Sequence, residues 1–119
     1  MNMKLETDKY TVEYVRKNRK ITFKGILRLQ SKEEYREISE LLSQAANETT
    51  GLPLVLDMRE LVFLNSSGIS AFSMFILKMR KLDKDILIEG NESVPWQTKS
   101  LKNFQKLYGK VEIRFSSDS

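Results

Sequence analysis

Apolar and polar positions alternate along Tyr10–Arg16, with Val12 and Tyr14 on one side and Thr11 and Glu13 on the other. Ile21 and Phe23 repeat the alternation after the polar turn Lys17-Asn18-Arg19, which predicts an N-terminal β-hairpin. Gly25 is expected to break the second strand ahead of Ile26-Leu27-Arg28-Leu29. The period then changes. Tyr35, Ile38, Leu41, Leu42 and Ala45 recur at helical spacing behind Ser31-Lys32-Glu33-Glu34, a capping box whose hydroxyl and carboxylate can satisfy each other's orphan backbone amides. Asn47 to Gly51 ends that helix. Pro53-Leu54-Val55-Leu56 is a continuous apolar run, the mark of a strand buried on both faces. Asp57-Met58-Arg59-Glu60-Leu61-Val62-Phe63-Leu64 follows, then Asn65-Ser66-Ser67-Gly68, then an apolar helix from Ile69 to Leu82. Ile86-Leu87-Ile88 predicts another buried strand ending at Gly90. Pro95 opens a last helix in which Leu101, Phe104, Leu107 and Tyr108 share a face, and Val111 to Phe115 closes as a strand. Strands alternating with helices through the second half predict an α/β domain with a central, partly parallel sheet and helices packed against it.

Composition narrows the chemistry. The 119 residues, 40% hydrophobic and 30% charged, suit one soluble globular domain over 1–119, with flexible ends expected at 1–8 and 116–119. The chain has no His and no Cys. That excludes disulfides, thiolate or imidazole zinc sites, cysteine nucleophiles and His-based triads, and no metal or cofactor is expected. The net charge of +4 is spread along the chain without a groove-reading or base-stacking motif, so no nucleic-acid partner is expected. No stretch reaches the roughly 20 apolar residues of a membrane span, and the N-terminus lacks a signal-peptide core. A cytoplasmic protein with no membrane partner is the expectation. Asp57 with Glu60, Asp83 with Asp85, and Glu89 with Glu92 are short-range carboxylate pairs, read as solvated loop groups rather than a metal or glycosidase site. Trp96 is read as an anchor for the last helix, and Lys99, Lys102 and Lys106 as its solvated face.

The chain concentrates its remaining chemistry at Asn65 to Leu77. Asn65 is placed as an N-cap, with Ser66 and Ser67 in the first helical turn. At about 100° per residue, Phe72, Phe75, Ile76 and Met79 point to the core. Ser66 then lies on the opposite flank, stacked with Ser70, Ser73 and Leu77, with Met74 close by. Large apolar side chains on a nominally wet face mark a contact surface. Two readings fit. Asn-Ser-Ser-Gly is an ordinary helix start, or Ser66 (Ser67 as second choice) is a phosphorylation site in a loop of Asn65, Ser67 and Gly68. The helix amides and dipole would tolerate a phosphate, whereas a partner packed over Met74 and Leu77 would not.

Leu54-Val55-Leu56-Asp57-Met58-Arg59-Glu60-Leu61 running through Phe63-Leu64-Asn65-Ser66-Ser67-Gly68-Ile69 resembles the signature of STAS domains, and more narrowly the bacterial anti-sigma-factor antagonists. The Asn-Ser-Ser-Gly form, with Pro95-Trp96-Gln97 and Lys99-Ser100-Leu101-Lys102-Asn103 downstream, is similar to a STAS-like subfamily common in cyanobacteria. The resemblance covers about residues 8 to 115. It implies a non-enzymatic module that binds a serine-kinase anti-sigma factor or a related switch kinase. It further implies that the kinase phosphorylates Ser66 and that a PP2C-type phosphatase removes the phosphate. The chain departs from the pattern twice: Asn65 replaces the usual Asp, and Gly25-Ile26-Leu27-Arg28 replaces an acidic loop. Competing readings are a constitutive STAS-like scaffold or dimerisation domain, and, least favoured, a small-ligand-binding or enzymatic domain. The expected assembly is a monomer or weak dimer.

Overall fold

The computed structural model describes residues 3–117. Six strands form one mixed sheet in chain order: β1 (Met3–Glu6), β2 (Tyr10–Val15), β3 (Lys20–Leu27), β4 (Leu54–Leu64), β5 (Ile86–Asn91) and β6 (Val111–Ser116). The first three are antiparallel neighbours, and β3 through β6 are parallel. Three helices, α1 (Arg36–Glu48), α2 (Ser66–Leu82) and α3 (Pro95–Leu107), connect the parallel strands, and each packs against the next. The chain is therefore a single α/β domain with an N-terminal hairpin.

One core lies between the helices and one face of the sheet. It unites Val12, Tyr14, Ile21, Phe23, Leu56 and Ile88 from the strands with Ile38, Leu42, Phe72, Ile76 and Phe104 from the helices. The alternate strand positions, among them Glu13, Thr22, Val55, Leu87 and Glu89, are only half-buried. Val55 and Leu87 thus face away from the helices, which corrects the expectation of strands buried on both faces. Ion pairs cover that open face instead, including Lys20 with Glu89 at 3.1 Å and Lys24 with Glu60 at 3.8 Å.

Four further expectations change. Met3–Glu6, expected as flexible chain, pairs as β1 with β2, and the extreme ends at 1–2 and 118–119 lie outside the described residues. Gly25 does not end β3. Its φ of +94° suits glycine, and a Cβ there would sit 2.3 Å from the Lys9 carbonyl oxygen, which accepts the Ile26 amide at 2.9 Å. The strand expected at Pro53 to Leu56 continues to Leu64. Two extra residues bulge out of β4 opposite β3, between Asp57 and Glu60 and between Leu61 and Phe63. Finally, the capping box is only half formed. Ser31 Oγ accepts the Glu34 amide at 3.2 Å, but Glu34 Oε1 accepts from Gln30 at 3.0 Å, and a separate turn precedes α1.

The bulged half of β4 loses β5 as a neighbour after Asp57. Gln97, fully buried at the start of α3, fills the gap. Its amide donates to the carbonyls of Met58 (2.6 Å) and Leu61 (3.0 Å) and accepts from the Asn91 amide (2.7 Å). Trp96 Nε1 also donates to Leu61 at 2.9 Å, so the tryptophan anchors α3 as expected.

Candidate functional site

The end of β4 delivers the chain straight into α2. Asn65 closes the β3–β4 ladder with its amide on the Leu27 carbonyl (3.1 Å) and leaves the strand in an extended conformation. Its side chain then uses both ends. Oδ1 accepts the Gly68 amide at 2.9 Å, capping α2, and accepts the Tyr35 hydroxyl at 2.7 Å. Nδ2 donates to the Leu29 carbonyl at 2.7 Å. A carboxylate could not make that last bond, because it has no proton to donate. Asparagine instead of the aspartate of the resembling families therefore has a local reason here. Burial pushes the Tyr35 hydroxyl above its ordinary pKa, so it remains a donor.

Gly68 is required by closeness rather than by φ. A Cβ there would lie 2.6 Å from Tyr35 Oη and 2.2 Å from Leu64 Cδ1. The tyrosine of the β3–α1 connection and the first turn of α2 are thus pressed together, and Asn65 ties them.

Ser66 is exposed at the first position of α2, and among the described residues its hydroxyl has no hydrogen-bond partner. Ser67 is half-buried and its Oγ lies 3.5 Å from the Gln30 carbonyl. The cap is supplied by Asn65, so neither serine is needed for it. Along the same helix Ser70 is exposed, Ser73 half-buried, Met74 60% exposed and Leu77 39% exposed. The expected core positions Phe72, Phe75, Ile76 and Met79 are all buried. A groove of about 300 Å³ runs beside this face between α1 and α2, with Lys32, Ser39, Ser70 and Met74 on its walls.

A second apolar group stands just before the motif. Ile26 and Phe63 are paired across β3 and β4, on the open sheet face, and both are more than a third exposed, as is the neighbouring Val62. The Arg28 guanidinium stacks 5.0 Å from the Phe63 ring centre. Sequence reasoning missed these residues. Two adjacent apolar residues in a strand point to opposite faces, which offered a faint signal at Val62-Phe63, but their partner Ile26 emerges only from the pairing register.

The carboxylates do not gather. Asp57 is buried in β4 rather than solvated in a loop, a correction, and it bonds Arg59 at 2.9 and 3.0 Å. Burial raises its pKa, yet the hydrogen bonds and charge of Arg59, helped by Lys20, outweigh that and hold it below the ordinary value. Asp83 pairs with Lys110 at 2.7 Å. Among the described residues no cluster of acidic side chains could hold a metal ion, and no helix is long and apolar enough to cross a membrane.

The six-strand sheet, its hairpin and the strand-to-helix passage at Asn65 define a STAS-like fold. Solved structures similar to it include those of SiaC from Pseudomonas aeruginosa. Apo-SiaC superposes with a TM-score of 0.73 at 13% identity, covering 98% of this chain and 99% of that one. A chain from the complex of the diguanylate cyclase SiaD with its activator SiaC gives 0.71 at 13% identity, covering 96% and 99%. At such identity the likeness establishes the fold. No protein-family model matches the chain, and no curated protein matches it in sequence.

Proposed function

We propose that this chain is a non-catalytic bacterial signalling module that binds a protein partner through the outer face of α2 and is switched by phosphorylation of Ser66. The partner is a serine-kinase anti-sigma factor or related switch kinase, and a PP2C-type phosphatase resets the site. One observation carries the reading: Ser66 is exposed, free of any capping task, and heads a helix face on which Met74 and Leu77 stand in water. The SiaC likeness supports a protein partner, since SiaC is an activator bound to another protein. The narrower link to anti-sigma-factor antagonists and their cyanobacterial relatives rests on the Asn65-Ser66-Ser67-Gly68 motif.

The switch works by charge. A phosphate brings about −1.5 to −2 charges, which the unpaired first-turn amides of α2 accept without unfolding the domain. A partner seated over Met74 and Leu77 would have to bury that charge, at a cost on the order of 3–5 kcal/mol, or hundreds-fold in affinity. Ile26, Val62 and Phe63 form a second, separate exposed apolar group, with Val62 and Phe63 just ahead of Ser66 in the chain. The test is intact mass after incubation with ATP and a candidate switch kinase of the serine-kinase anti-sigma type. One added phosphate that disappears in Ser66→Ala is expected. An unchanged mass would leave a constitutive binding domain in place of a switched one.

A further inference from the structure

β6 is an edge strand whose outer side is self-complementary. The Ile86 amide donates to the Lys110 carbonyl (3.5 Å) and the Glu92 amide to the Ser116 carbonyl (3.0 Å), so the even-numbered residues of β6 turn their backbone groups toward β5. In a parallel ladder the odd-numbered residues then face outward, which leaves the N–H and C=O of Ile113 and Phe115 at the edge. Val111 also faces outward, but its amide bonds the Tyr108 carbonyl at 3.1 Å and its carbonyl accepts from Gln105 at 3.0 Å. Side chains follow the same alternation. Val111, Ile113 and Phe115 pack on the core side, while Glu112 and Arg114 project exposed from the open face, paired at 2.8 Å.

We infer that β6 pairs with β6 of a second copy of this chain, antiparallel about a two-fold axis at Ile113. In that register the two Ile113 residues exchange both backbone hydrogen bonds. Glu112 stands opposite the partner's Arg114 on one face, and Val111 opposite the partner's Phe115 on the other. Charge selects the register. Shifting the axis by one residue sets Arg114 against its own symmetry mate, or Glu112 against its own, and like charges directly opposite destabilise a strand pair. The other sheet edge, β1, is shorter at four residues and carries no aromatic side chain. A contact of one strand per copy is small, so the dimer is weak and concentration-dependent.

Sedimentation equilibrium on the full chain from micromolar to millimolar concentration tests the pairing. A reversible monomer–dimer equilibrium is expected. Glu112→Arg and Arg114→Glu each set like charges opposite at both symmetric positions and should weaken association about tenfold or more. The double variant, with the two charges exchanged, is self-complementary again and should restore it. Both side chains are exposed, so thermal melting should confirm that every variant keeps the fold. Lys4→Glu on β1 should leave association unchanged. A mass that stays monomeric at millimolar concentration, a dimer indifferent to the single charge reversals, failure of the double variant to restore it, or loss through Lys4→Glu would each overturn the inference.

Discussion

The Tyr35 hydroxyl donates to Asn65 Oδ1 at 2.7 Å, joining the entrance of α1 to the first turn of α2 across thirty residues of chain. That oxygen also caps α2, and the amide nitrogen behind it is committed to Leu29. Asn65→Asp should therefore lose the Leu29 bond and set a carboxylate against a carbonyl, for a net loss of about 1–2 kcal/mol after the favourable helix dipole. Tyr35→Phe leaves the cap in place and should cost about 1 kcal/mol. Urea unfolding of both variants measures these values, and an Asn65→Asp protein as stable as the parent would contradict the arrangement.

Gly68→Ala should be more damaging than its position in a helix suggests. Alanine is the better helix former by about 1 kcal/mol. Its methyl would nonetheless collide with Leu64 and the Tyr35 hydroxyl. A net destabilisation of about 1–3 kcal/mol is expected from overpacking, and a thermal melt that rises instead would refute the contact.

Gln97 satisfies two carbonyls and one amide from a position of complete burial. Gln97→Leu would strand the Met58 carbonyl and the Asn91 amide, while the Leu61 carbonyl keeps its bond from Trp96 Nε1. A loss of about 2–5 kcal/mol follows, and amide exchange should accelerate first along Met58 to Leu61.

Acid should loosen the hairpin from α1. Arg16 holds Glu48 by hydrogen bonds at 2.6 and 3.0 Å, and this pairing lowers the Glu48 pKa to about 2. A group depressed in the folded state contributes its stability above its unfolded pKa of roughly 4.3, and loses it as pH falls toward the folded value. The melting temperature should thus decline between about pH 5 and pH 2, and Glu48→Gln should flatten that decline.

Ser66→Asp separates switching from folding. Its charge sits at the amino end of α2, where an anion is favoured by about 0.3–1 kcal/mol, so the melting temperature should hold or rise slightly. Partner capture should fall sharply in the same variant, as it should in Leu77→Asp. Retained capture by Ser66→Asp would remove charge repulsion from the mechanism.

The local code of this chain was enough to establish the hairpin, the three helices, the buried stripe of α1, and the exposed line from Ser66 through Ser70 to Met74 and Leu77. Each depends on a period of two or 3.6 residues, or on a cap, and such signals act over a single turn or strand. The course of β4 was not legible. Its buried apolar residues fall at Leu54, Leu56 and Met58 and then at Leu61 and Leu64, because two bulges reset the alternation, and a bulge is decided by the neighbouring strand. The same holds for Asn65. Its capping role is local, whereas the reason it is not aspartate lies in a carbonyl 36 residues away that only the assembled sheet brings within 2.7 Å. Partners that distant in sequence leave no periodic trace, so tertiary structure alone decided them.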